Sequence, residues 1–274
     1  MAGLLAAAMG FGLQPASALD IRLAGFTSPT LIAQAQLLRL DATLQQAMGT
    51  GDFVGLAVAV VRNGEVTFLH TYGETETGTG EAVTADTVFR IASLSKGFAS
   101  SMVGLAASEG RLSLDAPVSG FAPELALPGG GEKTLTLASL LSQRTGLPPN
   151  AYDNLLEEGI EPVRILPMYR KVKPTCAAAS CYAYQNVTYD LSGRALAAAY
   201  GESYPELVGE RLFARLGMTT ASYGLDGLTH TGNWARPHTR ARQRDPALPP
   251  NPWTRLEVKL PYYAIPAAGG VNAS

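Results

Sequence analysis

Charge is scarce in this chain. Asp, Glu, Lys and Arg make up only 16% of its 274 residues, against roughly a quarter in an average soluble domain. Neither sign prevails: 21 Lys and Arg stand against 23 Asp and Glu, a formal net charge of −2. That balance argues against a general nucleic-acid or membrane-surface binder. The only basic run is local, Arg236, Arg240, Arg242 and Arg244 beside His238, and reads as a solvated loop. With three His and two Cys, a zinc site of the usual His/Cys kind is hard to assemble. No metal, no cofactor and no nucleic-acid partner are therefore expected. The 29 Gly and 18 Pro show neither the period nor the excess of a fibrous or disordered chain. A globular protein long enough to bury a core remains.

Charge is absent altogether before Asp20. Gly3 to Leu13 is an apolar, small-residue run, too short for an ordinary transmembrane helix. Ala16-Ser17-Ala18 fits the small-x-small pattern before a signal-peptidase cut. Residues 1–18 thus read as a signal peptide, leaving 19–274 as a periplasmic or secreted protein with no stable membrane span. One element is missing, since no Lys or Arg follows Met1; a buried apolar helix is the other reading. Cys176 and Cys181, five apart, fit a small disulfide loop in an oxidising compartment. Two buried thiols are the alternative, because spacing does not settle geometry.

Leu37, Leu38, Leu40, Leu44 and Met48 recur at helical period across Leu31 to Met48. Leu56 to Val61 is a continuous apolar strand, Asn63-Gly64 a hairpin turn, and Glu65 to His70 a returning strand. A second helix is expected from Ser93, with Phe98, Met102 and Leu105 as its core stripe and Gly110 at its end. Beyond it strand patterns largely vanish. Leu135 to Leu141, Asn154 to Glu158, Val187 to Tyr200 and Tyr204 to Leu216 read as helices between Pro/Gly loops. The expected layout is α/β over 19–115, then a mainly helical part over 116–274.

Ser93-Leu94-Ser95-Lys96 places a Ser and a Lys at i and i+3, on one helix face. A serine hydroxyl needs an adjacent base to become a nucleophile, and a Lys whose pKa is lowered by burial can serve. The helix N-terminus adds a positive field, and the Ser93 N–H could donate to an oxyanion. By itself the pattern is weak: 16 Ser and five Lys give about 0.3 such pairs by chance. The bland reading has Ser93 as a helix cap and Lys96 in solvent. Yet no other Lys precedes Lys133, and Lys96 sits in an otherwise small and apolar helix. Tyr184-Gln185-Asn186 adds a phenol for proton transfer and an amide to hold a carbonyl. Tyr152-Asp153-Asn154 carries the same letters as a decoy.

Thr87-Val88-Phe89-Arg90-Ile91-Ala92-Ser93-Leu94-Ser95-Lys96 resembles the nucleophile segment of the serine β-lactamase family, class C type, which includes penicillin-binding DD-peptidases and esterases. The likeness continues through Leu140 to Pro148, Tyr184-Gln185-Asn186, Leu216 to Thr220 and Ala267 to Val271, in family order over roughly residues 35 to 274. The 91 residues from Ser93 to Tyr184 suit the family spacing; Tyr152 comes too early. The resemblance implies an antiparallel sheet with flanking helices plus an all-helical subdomain. It also implies Ser93 as acylated nucleophile, Lys96 and Tyr184 sharing proton transfer, and Asn186 contacting the substrate amide. The expected partner is a small β-lactam or cell-wall peptide, and a monomer is expected. A sensor or DD-peptidase that acylates without fast turnover, or an esterase, is the alternative.

The family's third motif, Lys-Thr-Gly or His-x-Gly on a strand bordering the site, is not found. Lys133-Thr134 is followed by Leu135, and His230-Thr231-Gly232 comes before Gly269-Gly270 rather than after it. His230 is therefore expected in a loop. With Asn272-Ala273-Ser274 falling in mid-motif, the chain reads as C-terminally truncated, its terminal strands absent and its sheet incomplete.

Overall fold

Asn63 and Gly64 both adopt left-handed backbone, φ 52° and 81°, the type I′ geometry whose twist suits a tight hairpin. They join β1 (Gly55–Arg62) to β2 (Glu65–Gly73) in a two-stranded sheet. Before them runs α1 (Pro29–Gly49), the helix expected from the leucine period. A computed structural model describes residues 29–245 and 247–274, with side chains from Ala33 onward. The signal-peptide reading of residues 1–18 lies outside the described residues. No helix among the described residues is long and apolar enough to cross a membrane.

The chain forms two compact units, one of residues up to Phe53 with Val58–His70, the other of Val54–Ala57 with Thr71–Ser274. In the first unit the Asp41 carboxylate meets His70 Nδ1 at 2.8 Å. The second unit holds the main core and every residue of the site described below.

In this second unit β3 (Phe89–Arg90) leads through a tight turn into α2 (Ser95–Ser108). There follow α3 (Leu137–Leu141), α4 (Asp153–Glu157), α5 (Pro162–Ile165), α6 (Leu191–Tyr200) and α7 (Tyr204–Val208). Then come β4 (Ser222–Tyr223), α8 (Gly224–Thr229), β5 (His238–Thr239), β6 (Thr254–Arg255), α9 (Pro266–Gly269) and β7 (Val271–Ala273). β7 is the centre of an antiparallel sheet, β3-β7-β4, with Arg90 opposite Asn272 and Tyr223 opposite Val271. These strands are two or three residues long, too short to carry a period-2 pattern, which is why the sequence shows so little strand beyond Gly110.

α2 packs against α6 and α9. Its buried face is Ser95, Ala99, Met102, Val103 and Ala106, rotated by one residue (roughly 100°) from the stripe expected. Met102 is common to both; Phe98 and Leu105 lie at the rim, packed on the core, with Phe98 edge-on to Phe213. Small residues on the inner face let the partner helices approach closely, and Phe98 covers the margin. Leu191, Ala195 and Leu196 of α6, with Ala267, Ala268 and Val271, complete this part of the core. Each fully buried large apolar side chain stabilises the fold by about 1.5–3 kcal/mol.

Three expected helices are shorter than their patterns; α3 begins at Leu137, not Leu135. α6 begins at Leu191, not Val187, because residues 186–192 fold as successive turns (Asp190 N–H to Asn186 O, Leu191 N–H to Thr188 O). The stretch from Tyr204 widens after Val208 into a π-turn over Gly209–Phe213, with Ala214 N–H reaching Gly209 O. His230 follows α8 and is exposed.

Candidate active site

Ser93 stands in the middle of the 3-10 turn Ala92–Leu94 that opens α2. The turn forces Ala92 to φ 46°, a left-handed conformation that costs a non-glycine residue about 1–2 kcal/mol. Its surroundings hold it there. Ser95 Oγ donates to Ala92 O at 2.5 Å and accepts the Val271 N–H at 2.9 Å. Ile91 N–H donates to Val271 O at 3.1 Å. Ser95 is completely buried, so the turn is tied to β7 from inside. Ser93 itself is exposed, with its N–H at the positive end of α2.

Lys96 reaches back from the first turn of α2. Its Nζ lies 3.3 Å from Ser93 Oγ, 2.8 Å from Asn186 Oδ1 and 2.9 Å from Ala268 O. It also sits 4.7 Å from the Tyr184 ring centroid and 5.4 Å from that of Tyr189. Burial pushes the Lys96 ammonium below its ordinary range, against hydrogen bonding to Tyr184 and the charges of Asp153 and Asp190. The acceptors have a consequence for direction. Asn186 Oδ1 and Ala268 O can only accept, so they take two of the three ammonium protons. When Lys96 loses its third proton, the free electron pair faces Ser93 Oγ.

Tyr184 completes the triad of groups, its hydroxyl donating to Ser93 Oγ at 2.6 Å. The stretch Leu140–Pro148 explains how it arrives there. Gln143, with left-handed backbone at φ 60°, has its carbonyl bonded by Ala183 N–H (2.9 Å) and its Oε1 by Gln185 N–H (2.8 Å). Gln185 Nε2 donates to Pro148 O at 2.7 Å, and Asn150 N–H to Tyr184 O at 2.8 Å. Residues on both sides of Tyr184 are thereby clamped. Gly146 has φ 82°, and a Cβ there would come within 2.7 Å of Cys176 O. Only glycine combines that backbone with that approach. Cys176 and Cys181 are disulfide-bonded, Cα atoms 6.2 Å apart, closing the loop that rests on Gly146.

Ser93, Lys96, Tyr184 and Asn186 therefore come together, while the decoy stays apart from the serine. Tyr152 stacks on Tyr169, centroids 5.4 Å apart, and Asn154 is exposed. The middle residue of the decoy, however, belongs to the site. Asp153 Oδ2 accepts Asn186 Nδ2 at 2.6 Å. Asp190 is a second carboxylate not picked out by sequence; its Oδ1 accepts the Ala267 N–H at 2.8 Å. Burial raises Asp153, opposed by its bond to Asn186, and pushes Asp190 up to about 7. Tyr189 Oη donates to the Lys96 carbonyl at 3.0 Å. Tyr189 and Asp190 follow Tyr184 and Asn186 at short spacing, yet their partners lie 93 and 77 residues away, beyond any local pattern. Among the described residues, no three His, Cys, Asp or Glu gather to hold a metal.

The arrangement can place a polarised hydroxyl, two proton carriers and an amide around one exposed oxygen. Known proteins resemble the chain in sequence and fold. The beta-lactamase family profile matches residues 40–274. A beta-lactamase of Pseudomonas fluorescens is 28% identical over 179 residues, 65% of this chain and 48% of that protein. The D-alanyl-D-alanine-carboxypeptidase/endopeptidase AmpH of Escherichia coli (strain K12) is 31% identical over 177 residues, 62% of this chain and 45% of that protein. A class C beta lactamase from Rhodobacter sphaeroides superposes with a TM-score of 0.66 at 27% identity, over 85% of this chain and 61% of its own. The likeness bears out the mixed fold of helices and antiparallel strands that the motifs imply. The chain spans about half the length of the curated relatives it matches.

Proposed function

Because this chain belongs to the beta-lactamase family, we propose that it is a serine hydrolase acting through an acyl-enzyme on Ser93, with β-lactams or D-Ala-type amides as substrates. The observation that carries the reading is the convergence of Tyr184 Oη at 2.6 Å and Lys96 Nζ at 3.3 Å on one exposed serine oxygen. Ser93 Oγ attacks the substrate carbonyl and passes its proton to the Tyr184–Lys96 pair. Either member can be the immediate acceptor. The Ser93 N–H donates to the oxyanion. As the C–N bond breaks, the proton moves to the leaving nitrogen. Water then attacks the ester through the same groups, and Ser93 recovers its proton. Asn186 keeps Lys96 in place and offers an amide edge to the substrate.

We further propose export through residues 1–18, supported by the apolar run Gly3 to Leu13 and by Ala16-Ser17-Ala18, and action as a monomer outside the cytoplasm. N-terminal sequencing of the secreted chain, expected to begin at Leu19, and its elution at monomer size would check both.

Hydrolysis of a chromogenic cephalosporin, a D-Ala-D-Ala peptide and a p-nitrophenyl ester tests the function. Turnover of the cephalosporin or the peptide that is lost in Ser93→Ala supports the proposal. Turnover of the ester alone would replace it with an esterase. Activity surviving in Ser93→Ala would move the nucleophile, with Ser95 next to be tested.

A further inference from the structure

Lys96 is gripped by two acceptors, and each is itself fixed by a different carboxylate. Asn186 Oδ1 faces Lys96 only while its Nδ2 points the other way, and Asp153 Oδ2 receives that Nδ2 at 2.6 Å. A carboxylate is an obligate acceptor, so it selects this amide orientation over the flipped one. On the other side, Ala268 O belongs to α9, whose first turn is capped by Asp190 through the Ala267 N–H. Asp153 comes from α4 and Asp190 from the turn preceding α6. Two separate elements thus converge on one amine.

We infer that Asp153 and Asp190 are a pair of positioning residues that hold Lys96 with its free electron pair directed at Ser93. The inference rests on the reading of Lys96 as a proton carrier in acylation. If the Asn186 amide flipped, Nδ2 would face the neutral amine and take its electron pair as a hydrogen-bond acceptor. Lys96 would then remain beside Ser93 but could not receive its proton. Loss of the Asp190 cap would instead loosen Ala268 O, leaving the second proton of the amine without its acceptor.

Other groups acting on Lys96 are the Tyr184 and Tyr189 phenols. Glu157 raises Asp153, while Arg194 lowers Asp190; Tyr204 and Tyr223 also lie within the field of Asp190. None of them fixes either acceptor of Nζ.

The test uses the full chain with lysine labelled with 13C at Cε, which gives five side-chain signals. Lys96 is assigned by its loss in Lys96→Met. Its titration midpoint and the pH dependence of acylation by a fluorescent penicillin are compared in wild type, Asp153→Asn and Asp190→Asn. Both carboxylates favour the ammonium, so each variant is expected to move the midpoint and the acid limb of acylation to lower pH. Charge removal alone would do that much. The distinguishing result lies at pH values where Lys96 is neutral in every protein. There Asp153→Asn is expected to remain about twofold to tenfold slower, because a carboxamide at 153 can accept from Nδ2 or donate to Oδ1 and no longer selects the orientation that directs the amine. Asp190→Asn, which keeps an acceptor for Ala267 N–H, is expected to lose less than about tenfold. Rates equal to wild type on that plateau in both variants would overturn the inference. Circular dichroism checks folding, and if Asp190→Asn fails to fold, Asp153→Asn decides the matter. If wild-type Ser93 is never acylated, the hydrolase reading fails by itself. The positioning inference is then decided by the Asn186 side-chain amide NMR signals, where an orientation in Asp153→Asn unchanged from wild type would overturn it.

Discussion

Two Tyr-x-Asn triplets lie in this chain, and only one faces the serine. Tyr184 donates to Ser93 Oγ and Asn186 accepts from Lys96. Tyr152 adopts left-handed backbone at φ 59° and stacks on Tyr169, while Asn154 is exposed. The same Tyr-x-Asn pattern thus has different chemistry, because the backbone around Tyr184 is clamped by Gln143, Pro148 and Asn150. The second triplet contributes through its middle residue, Asp153, which holds the Asn of the first. Position relative to the nucleophile turn, rather than composition of the triplet, decides the role.

Paired substitutions give the sharpest contrast. Tyr184→Phe is expected to slow acylation by about 10²–10⁴-fold, the usual contribution of a positioned proton carrier. Tyr152→Phe keeps the ring stack and is expected to stay within about twofold, since a surface-neutral change shifts energies by only about 0.5 kcal/mol. Stopped-flow labelling with a fluorescent penicillin measures both, and equal losses would erase the distinction between the triplets.

Next comes the clamp. Gln143→Ala removes the acceptor of the Gln185 N–H in a buried place, which is expected to cost about 1–3 kcal/mol in urea denaturation. Opening the disulfide loop with Cys176→Ser and Cys181→Ser should cost about 2 kcal/mol for so short a loop. It should also slow acylation, because that loop rests on Gly146 beside the clamp.

A pH effect separates the carboxylates. A carboxyl raised in the folded protein binds protons more tightly there than in the unfolded chain, so stability falls as pH rises between the two values. For Asp190 this window runs from the ordinary carboxylate range to about 7. Asp190→Asn is expected to flatten the upper part of the decline in thermal midpoint, leaving the part due to Asp153. An unchanged slope up to pH 7 would mean that Asp190 is not held above its ordinary value. Asn154→Ala, on an exposed side chain, is the smallest change expected, within about 0.5 kcal/mol.

Much of the site was legible because its logic is local or its spacing is distinctive. Ser93 and Lys96 share a helix face by their i, i+3 offset, and the hairpin at Asn63-Gly64 needs only φ > 0 at two residues. The buried face of α2 was misjudged by one residue because small residues, Ala99 and Ala106, carry the close packing that size-based patterns assign to Phe98. Asp153, Asp190 and the Ala268 carbonyl were invisible for another reason. Ala268 reaches Lys96 across 172 positions and Asp153 reaches Asn186 across 33. No periodicity records such pairings; only the folded chain brings them together.

The central claim is that Ser93, served by Lys96 and Tyr184, is the acylated atom. Its most direct measurement is intact mass of the chain over time after addition of a penicillin, with the modified peptide sequenced. A one-to-one adduct on the peptide bearing Ser93, absent from Ser93→Ala and decaying as water releases it, is the predicted result. No adduct under saturating penicillin, or an adduct mapped to any other residue, would contradict it.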